Sequence, residues 1–311
     1  MAGERTIGVD VGGTKIVVGV VERDGTVVRV ERRPTPVDST DSLLAGLAAA
    51  VASVRDESVA AVGIGIPSAI DQRSGTAVFS VNIPLAGVDV RTWAAETFGL
   101  PAAIDNDANC AALAEWRAGA GRGTTDMAMI TLGTGIGGGL ILGGKLYRGW
   151  IGAGAELGHI VVDGGDGAVC QGYCTGHGHL EALASGRAVD AVAERLLGAG
   201  ADTPKLAAAA RNGDAAAREA LASAGRWLGA GIASIVNLLN PELVVIGGGF
   251  GEAFELLIGP AREVLARDGV VPARDVVRIV PAELGSDAGL IGAALVGFEA
   301  LGAAGVAVAR G

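Results

Sequence analysis

The sequence predicts an α/β fold made of two related halves. Residues 7–32 alternate short apolar runs with tight turns, which indicates three consecutive antiparallel strands. The same order of runs and turns returns over residues 127–147. Each copy carries a Gly/Thr turn at its first corner, so the repeated pattern indicates an internal duplication. Strands alternate with helices in the second half, and this alternation requires a mostly parallel sheet to which the repeated strands add antiparallel members.

The other elements follow from apolar periodicity and turn residues. Helices are expected at residues 41–54, 90–98, 108–118, 180–197 with a possible break at Gly186, 204–211, 215–239, 252–267 and 288–301. Strands are expected at residues 59–66, 101–104, 243–246 and 276–280, with a loop and short hairpin over 68–88. The glycine-rich stretch 119–125 lacks apolar periodicity and indicates a domain boundary.

Composition and charge narrow the functional classes. The 311 residues are 50% hydrophobic but only 4% aromatic, so the cores must consist of Ala, Val, Leu and Ile. The formal net charge of −10 argues against nucleic-acid and anionic-membrane partners, which need clustered positive charge. The longest uncharged stretch, 227–241, indicates a buried helix and not a membrane span. With no signal peptide evident, a cytoplasmic location is expected.

All three histidines and two of the three cysteines fall within one glycine-rich loop. His159, Cys170, Cys174 and His179 supply four ligands, the number that a closed structural zinc site takes. His177 is the spare histidine; it is expected to be exposed, although it is an alternative ligand to His179. A surface loop with two free thiols is the competing interpretation.

The first Gly/Thr corner has the chemistry of a phosphate site. Asp10 ends a strand, and Gly12, Gly13, Thr14 and Lys15 form the turn that follows. Backbone N–H groups and the threonine hydroxyl can hold phosphate oxygens, while Asp10 can hold Mg²⁺. The spacing is not that of a P-loop, and no helix follows as in a dinucleotide fingerprint. An ordinary hairpin turn is the alternative.

Two further glycine clusters suit a nucleotide. Gly133, Thr134 and Gly135 repeat the corner in the second half, and two corners facing each other across a cleft would clamp one nucleoside polyphosphate. The run 247–251 follows a strand and opens a helix, so that Gly248 and Gly249 can admit a flat adenine ring. A close helix–strand packing turn explains the third cluster nearly as well.

Acidic side chains supply a base and ligands for hydroxyl groups. Asn106 and Asp107 follow a strand and open a helix, where Asp107 can accept the proton of an alcohol during phosphoryl transfer. Helix capping by these two residues is the alternative. The segment from His159 to His179, which carries the candidate metal ligands, is called the metal loop below. Glu156 and Glu181 lie just outside it and suit a polyhydroxylated ligand.

Together these motifs resemble the ROK (repressor, open reading frame, kinase) sugar kinases. The resemblance covers nearly the whole chain, and the motifs occur in the family's order. They are D-x-G-G-T-K at 10–15, N-D-x-N at 106–109, L-G-T-G-I-G-G-G at 132–139, E-x-G-H at 156–159 and L-E-x-x-A-S-G at 180–186.

The resemblance implies an actin-like, ribonuclease H-like fold in which two domains with a duplicated βββαβαβα core close around ATP and a hexose. It places the domains at residues 1–120, completed by the C-terminal helix 288–311, and 121–287, which carries the zinc loop. It implies that Asp107 acts as base toward the sugar 6-hydroxyl. The sugar contacts that it implies are Asn82, Asn106, Glu156, His159 and Glu181.

The metal loop departs from the family pattern, in which three cysteines are usual. Gly172 stands where the first cysteine is expected, Cys170 lies two residues earlier, and His179 replaces the last cysteine. A His₂Cys₂ zinc site remains chemically reasonable.

The resemblance leaves several functions open. Glucokinases are the commonest match to this kinase-only layout, but fructose, mannose and N-acetylmannosamine kinases share the catalytic set, and polyphosphate replaces ATP in some relatives. The family's repressors carry an N-terminal helix-turn-helix domain, and because the first strand begins by about residue 5, this chain is not expected to belong to the DNA-binding branch. A sugar-binding regulator without turnover is the non-enzyme alternative. The resemblance also implies a homodimer or homotetramer.

Overall fold

A computed structural model describes residues 4–80, 82–165, 167–170, 174–250 and 253–309, with side chains placed as far as residue 302. The chain forms two compact units. The first comprises Met1–Gly123, Leu146–Gly154 and Glu283–Gly311, and the second comprises Thr124–Lys145 and Ala155–Ala282. The chain therefore passes between the units several times.

The first unit contains a five-stranded sheet in the order β3-β2-β1-β4-β7. The strands are β1 Arg5–Val11, β2 Lys15–Glu22, β3 Val27–Pro34, β4 Val59–Ile66 and β7 Ala102–Asn106. The first three strands pair antiparallel, as the repeated pattern predicts, and β4 joins β1 and β7 in parallel. A separate hairpin pairs β5 Ser68–Asp71 with β6 Thr76–Ser80.

The α-helices described in this unit are α1 Thr40–Val54, α2 Val90–Phe98, α3 Asp107–Ala118 and α10 Ala288–Ala309. Side-chain caps begin the first two, because Ser39 and Ser42 form a capping box and Asp89 accepts from the Thr92 N–H. Helix α10 packs on the sheet so closely that a Cβ at Gly63 would overlap the Ala293 carbonyl. Glycine in β4 therefore permits the close approach.

The second unit contains a sheet in the order β10-β9-β8-β11-β12. Its strands are β8 Met127–Leu132, β9 Ile136–Leu142, β10 Lys145–Tyr147, β11 Leu243–Gly248 and β12 Arg278–Pro281. Strand β8 pairs antiparallel with β9 and parallel with β11. The two sheets thus share one strand order. In each, the third, second and first strands of the antiparallel repeat lie side by side, and two parallel strands continue the sheet beyond the first. The predicted duplication is confirmed.

The second unit contains the helices α4 Leu180–Ala184, α5 Gly186–Leu197, α6 Thr203–Arg211, α7 Ala215–Leu239, α8 Phe254–Asp268 and α9 Ala273–Val276. The expected break falls at Ser185, which ends α4 and caps α5 through Ala188 N–H. In both units the buried cores consist mainly of Ala, Val, Leu and Ile.

Three predicted boundaries require correction. Residue 276 ends the short helix α9, and the strand expected from that position begins at Arg278, because the turn after Pro272 continues helically through Val276. Strand β7 continues past residue 104 to Asn106, since its parallel ladder with β4 runs to Ile66. The last helix extends to residue 309, beyond the predicted end at 301. Among the residues that the structure describes, no helix is long and apolar enough to cross a membrane.

Candidate active site and metal centre

The first glycine corner is a tight, hydrogen-bonded turn at the end of β1. The Gly12 N–H donates to the Lys15 carbonyl at 2.9 Å, and the Thr35 hydroxyl donates to the Gly12 carbonyl at 2.7 Å. Gly13, Thr14 and Lys15 are exposed. The turn therefore has a braced backbone and presents an N–H-rich, hydroxyl-bearing edge to solvent, as a phosphate site requires.

Asp10 is held in an environment that opposes its charge. Burial raises the pKa of its carboxyl from 3.8 to about 6, the Asp107 carboxylate adds to the rise, and Lys15 opposes it. The opening of α10 lies directly against this carboxyl, because a Cβ at Gly289 would come within 2.5 Å of Asp10 Oδ2. The structure thus brings Asp10 and Asp107, which are far apart in sequence, into one acidic pair. A carboxylate kept ionised against burial suits the binding of a cation.

The unfavourable burial of the Asp10 charge predicts that Asp10→Asn stabilises the metal-free protein at neutral pH. Because the folded-state pKa lies above the unfolded value, the folded protein binds the extra proton, and stability falls as pH rises from about 4 to about 6. The loss amounts to at most about 3 kcal/mol. We expect Asp10→Asn to melt about 3–6 °C above the wild type at pH 7.5, with a smaller gain at pH 4.5.

The measurement is thermal unfolding at both pH values without Mg²⁺ or nucleotide. Asp38→Asn, in an exposed loop, serves as the control and should follow the wild type. A melting temperature of Asp10→Asn below that of the wild type at pH 7.5 would contradict the assignment.

The proposed base lies where β7 meets α3. Asn106 caps the helix, because its Oδ1 accepts from the N–H groups of Ala108 at 2.9 Å and Asn109 at 3.2 Å. Its Nδ2 donates to the Ser68 carbonyl at 3.4 Å. Asp107 is the half-buried first residue of α3. The capping interpretation thus holds for Asn106, and it is compatible with a catalytic role for Asp107.

Asn82 is exposed and lies beside the first corner. A Cβ at Gly13 would be 3.4 Å from the Cβ of Asn82. All predicted site residues of the first half therefore belong to the first unit: Asp10, Gly12, Gly13, Thr14, Lys15, Asn82, Asn106 and Asp107.

The second corner, between β8 and β9, is also closed by a backbone hydrogen bond. The Gly133 N–H donates to the Gly135 carbonyl at 2.9 Å, so this turn is one residue tighter than the first. The start of α5 braces it, since the Gly186 N–H donates to the Gly133 carbonyl at 2.8 Å. Thr134 is exposed. As in the first corner, the turn is held from behind and its threonine is accessible.

Glu181 lies against this second corner. Its Oε2 accepts from the Ile136 N–H at 2.8 Å, and its carboxylate would overlap a side chain at position 135. Although much of Glu156 is exposed, partial desolvation raises the pKa of its carboxyl, His159 opposes the rise, and Glu181 adds to it. The two glutamates and His159 are therefore electrostatic neighbours in the second unit.

The third glycine cluster adjoins the second corner through Leu132. Gly248 pairs with Leu132 in the ladder of β11 and β8, and the Gly249 N–H donates to the Leu132 carbonyl at 2.8 Å. The structure therefore brings Gly248 and Gly249 to the same end of the sheet as Gly133. The last predicted member of this cluster, Gly251, lies outside the described residues.

The metal loop is held by backbone pairing. Val161 bridges to His179 and Val169 bridges to His177, and the Cys170 N–H donates to the Gly176 carbonyl at 2.8 Å. These bonds fold the loop back so that residues 159 and 179 approach each other. Gly172 lies outside the described residues.

Four predicted ligands converge: His159, Cys170, Cys174 and His179 present donor atoms that all lie within 4.8 Å of one another. The Nδ1 atoms of the two histidines are 3.2 Å apart. Cys170 Sγ is 3.5 Å from Nδ1 of His159, and Cys174 Sγ is 3.5 Å from Nδ1 of His179. Zinc bonds of about 2.0–2.3 Å set tetrahedral ligand atoms about 3.3–3.8 Å apart, close to these three separations, and two imidazoles with two thiols are a donor set that fits zinc.

The remaining thiol and histidine lie elsewhere. His177 is exposed, with Nδ1 3.1 Å from the Gly167 carbonyl oxygen, as expected for the spare histidine. Cys110 is buried in α3, and burial raises the pKa of its thiol well above the usual range. Neither belongs to the four-ligand cluster.

The sequence motifs did not single out the polar residues behind the proposed base. Asp105 and Asn109 flank the Asn106–Asp107 pair, and both are fully buried. Arg148 reaches Asp105 from a segment 43 positions away. The acid at 105 and the last asparagine of the N-D-x-N motif were visible in the sequence, but nothing near Arg148 marked it as their partner.

Known proteins are similar to this chain over most of its length. The ROK family model matches residues 6–298. The chain is 37% identical to a glucokinase of Streptomyces coelicolor, over 93% of this chain and 96% of the relative. It is 35% identical to a kanosamine kinase of Amycolatopsis mediterranei, over 95% and 97% of the two chains. A ROK family glucokinase from Streptomyces griseus, solved in complex with glucose and AMPPNP, superposes with a TM-score of 0.82 at 36% identity, covering 95% of this chain and 99% of that one.

The chain therefore belongs to the ROK family. Its fold is the actin-like, ribonuclease H-like fold that the resemblance implied, with the duplicated sheets described above.

Proposed function

We propose that this protein is an ATP-dependent sugar kinase that phosphorylates the 6-hydroxyl of a hexose, with glucose as the favoured acceptor. The observation that carries the proposal is the acidic pair of Asp10 and Asp107, set beside an exposed glycine corner at the ends of β1 and β7. Such a pair supplies a cation ligand and a base within one site. The glucokinase relative and the glucose and AMPPNP complex of the Streptomyces griseus protein support it.

The reaction needs few covalent steps. Asp107 accepts the proton of the sugar 6-hydroxyl, the oxygen attacks the γ-phosphorus of ATP, and the bond from that phosphorus to the β,γ-bridging oxygen breaks to release ADP. Asn82, Asn106, Glu156, His159 and Glu181 are assigned to hold the sugar hydroxyls. Carboxylates and amides fix both the position and the direction of each hydroxyl, which orients the attacking oxygen.

The nucleotide is assigned to the glycine clusters. The turn 12–15 and the corner 133–135 offer N–H groups and threonine hydroxyls to the phosphates, and Gly248 and Gly249 are assigned to the base. Asp10 would hold Mg²⁺, which neutralises charge on the transferring phosphoryl group. A hard divalent cation prefers oxygen ligands, and its charge would offset the cost of burying the Asp10 carboxylate.

Zinc, where bound by His159, Cys170, Cys174 and His179, would serve structure. Four protein ligands leave no open position for Lewis-acid chemistry. Because both histidines turn Nδ1 toward the cluster, the ring of His159 is oriented from that side. The loop then holds His159 and leads directly into α4, which carries Glu181.

A panel of sugars tests the function. Purified protein with Mg²⁺ is given ATP or polyphosphate together with glucose, fructose, mannose, N-acetylmannosamine or an amino sugar, and ADP release and sugar phosphate are measured. We expect the highest kcat/KM with glucose and ATP. A higher value with an amino sugar would favour the second candidate, an amino-sugar kinase, which the kanosamine kinase relative supports. Saturable sugar binding without turnover would instead identify a regulator.

A further inference from the structure

A buried carboxylate lies directly behind the proposed base. Asp105 is fully buried in β7, one residue before Asn106. Its Oδ1 accepts from the Asn106 N–H at 2.8 Å and from Asn109 Nδ2 at 2.9 Å. Its Oδ2 accepts from Arg148 Nε at 2.5 Å. One side chain therefore holds both the strand end and the first turn of α3, the two pieces of backbone between which Asp107 stands.

Arg148 brings a distant segment to this carboxylate. It is 24% exposed, and its second nitrogen donates to Glu299 on α10 at 2.9 Å. The segment Leu146–Gly154 around it is further held by the Gln72 N–H, which donates to the Ile151 carbonyl at 3.3 Å. Asp105 is the inner anchor of Arg148, and Glu299 is the outer one.

The orientation of Asn109 shows how strongly the site favours donors toward Asp105. Asn109 Oδ1 is the one buried side-chain polar atom that lacks a hydrogen-bond partner among the residues described. The amide turns its NH₂ toward the Asp105 carboxylate and leaves its oxygen unpaired. An unpaired buried oxygen is costly, so the arrangement serves the carboxylate at the expense of the amide.

Stability alone does not explain such a cluster. Buried ion pairs are often replaceable by apolar side chains of similar volume with no loss of stability. What an apolar pair cannot do is hold the Asn106 N–H and the first turn of α3 in one geometry. A base must be placed accurately, since a displacement of about 1 Å costs about 100-fold in rate.

We propose that Asp105 and Arg148 are positioning residues that hold the Asn106–Asp107 junction in the geometry needed for proton transfer. Neither touches the reacting atoms in this assignment; both act through the backbone of residues 106–109. The inference rests on the proposed kinase function and assigns residues that the sequence motifs did not single out.

The test compares Arg148→Met, Arg148→Lys, Asp105→Asn and Glu299→Gln with the wild type. We expect Arg148→Met and Asp105→Asn to lower kcat about 30-fold or more, with KM for sugar and for MgATP changed less than about threefold. Arg148→Lys keeps the charge but not the two-sided donor geometry, so it should recover part of kcat. Glu299→Gln, which alters only the outer anchor, should stay within about twofold of the wild type.

A single change that leaves one buried charge unpaired can unfold the protein. The double variant Asp105→Asn/Arg148→Met removes both charges, and we expect it to melt close to the wild type while kcat remains at least about 10-fold low. A folded double variant with wild-type kcat would overturn the positioning role. Failure of the wild type itself to phosphorylate any sugar would instead contradict the proposed function, and the wild-type assay shows this separately from the variants.

Discussion

Replacing Asp107 by alanine is expected to lower kcat for sugar phosphorylation by about 10²–10⁴-fold. No other covalent chemistry is required of the protein, so loss of the proton acceptor falls on the chemical step. Binding of glucose, measured by calorimetry without nucleotide, should weaken by less than about tenfold, because the other assigned hydroxyl ligands remain. Steady-state ADP release at saturating sugar and MgATP is the activity measurement.

Asp41→Asn is the matched control for this change. Asp41 lies in the exposed first turn of α1 and has no place in the assigned site. It should leave kcat within about twofold of the wild type, as surface substitutions usually do. Near-normal turnover by Asp107→Ala would refute the assigned base, even if the enzyme phosphorylates glucose.

Removing one of the proposed zinc ligands is expected to have the largest effect on stability. Protein purified without chelator should contain about one zinc per chain, and Cys174→Ser or His179→Ala should lower this below about 0.1. Zinc binding contributes much of the folding free energy of small zinc sites, so the metal loop should lose its structure. We expect melting to fall by about 10 °C or more and proteolytic cleavage to appear within residues 160–178. Zinc content is measured by elemental analysis.

His177→Ala and Cys110→Ala are controls that remove the same donor types from outside the cluster. His177 is exposed and Cys110 is buried in α3, away from the four ligands. Both variants should keep about one zinc per chain. Wild-type protein with less than half an equivalent, in material never exposed to chelator, would count against the metal assignment.

The local elements follow from the sequence because their causes are local. Helix α7 runs over the predicted residues 215–239, with Asp214 capping its start and Asn240 in the left-handed conformation at its end. The break before α5 follows from Ser185 and Gly186. Boundaries were wrong at β12 and β7, where pairing with a neighbouring strand or the continuation of a turn decided the end. Such pairing is invisible to a periodicity argument.

The cluster of candidate metal ligands could be predicted because histidine and cysteine are rare in this chain. All histidines and most cysteines fall within one loop, and the structure brings four of them within 4.8 Å. The bridge between Val161 and His179 brings the two ends of the loop together, and the bond from the Cys170 N–H to the Gly176 carbonyl closes its inner part. Few donors and a short loop leave few alternative pairings.

The sequence by itself determined the order of the elements, the repeated corners, the cluster of four candidate metal ligands and the motifs that mark the family. These depend on side-chain type and on spacing within a few turns of backbone. Only the tertiary structure decided three contacts. Asp107 raises the pKa of Asp10, Glu181 accepts a hydrogen bond from the backbone of the second corner, and Arg148 donates to Asp105. Each of these contacts joins residues at least 40 positions apart, and its energy comes from burial and charge that exist only once the sheets have formed.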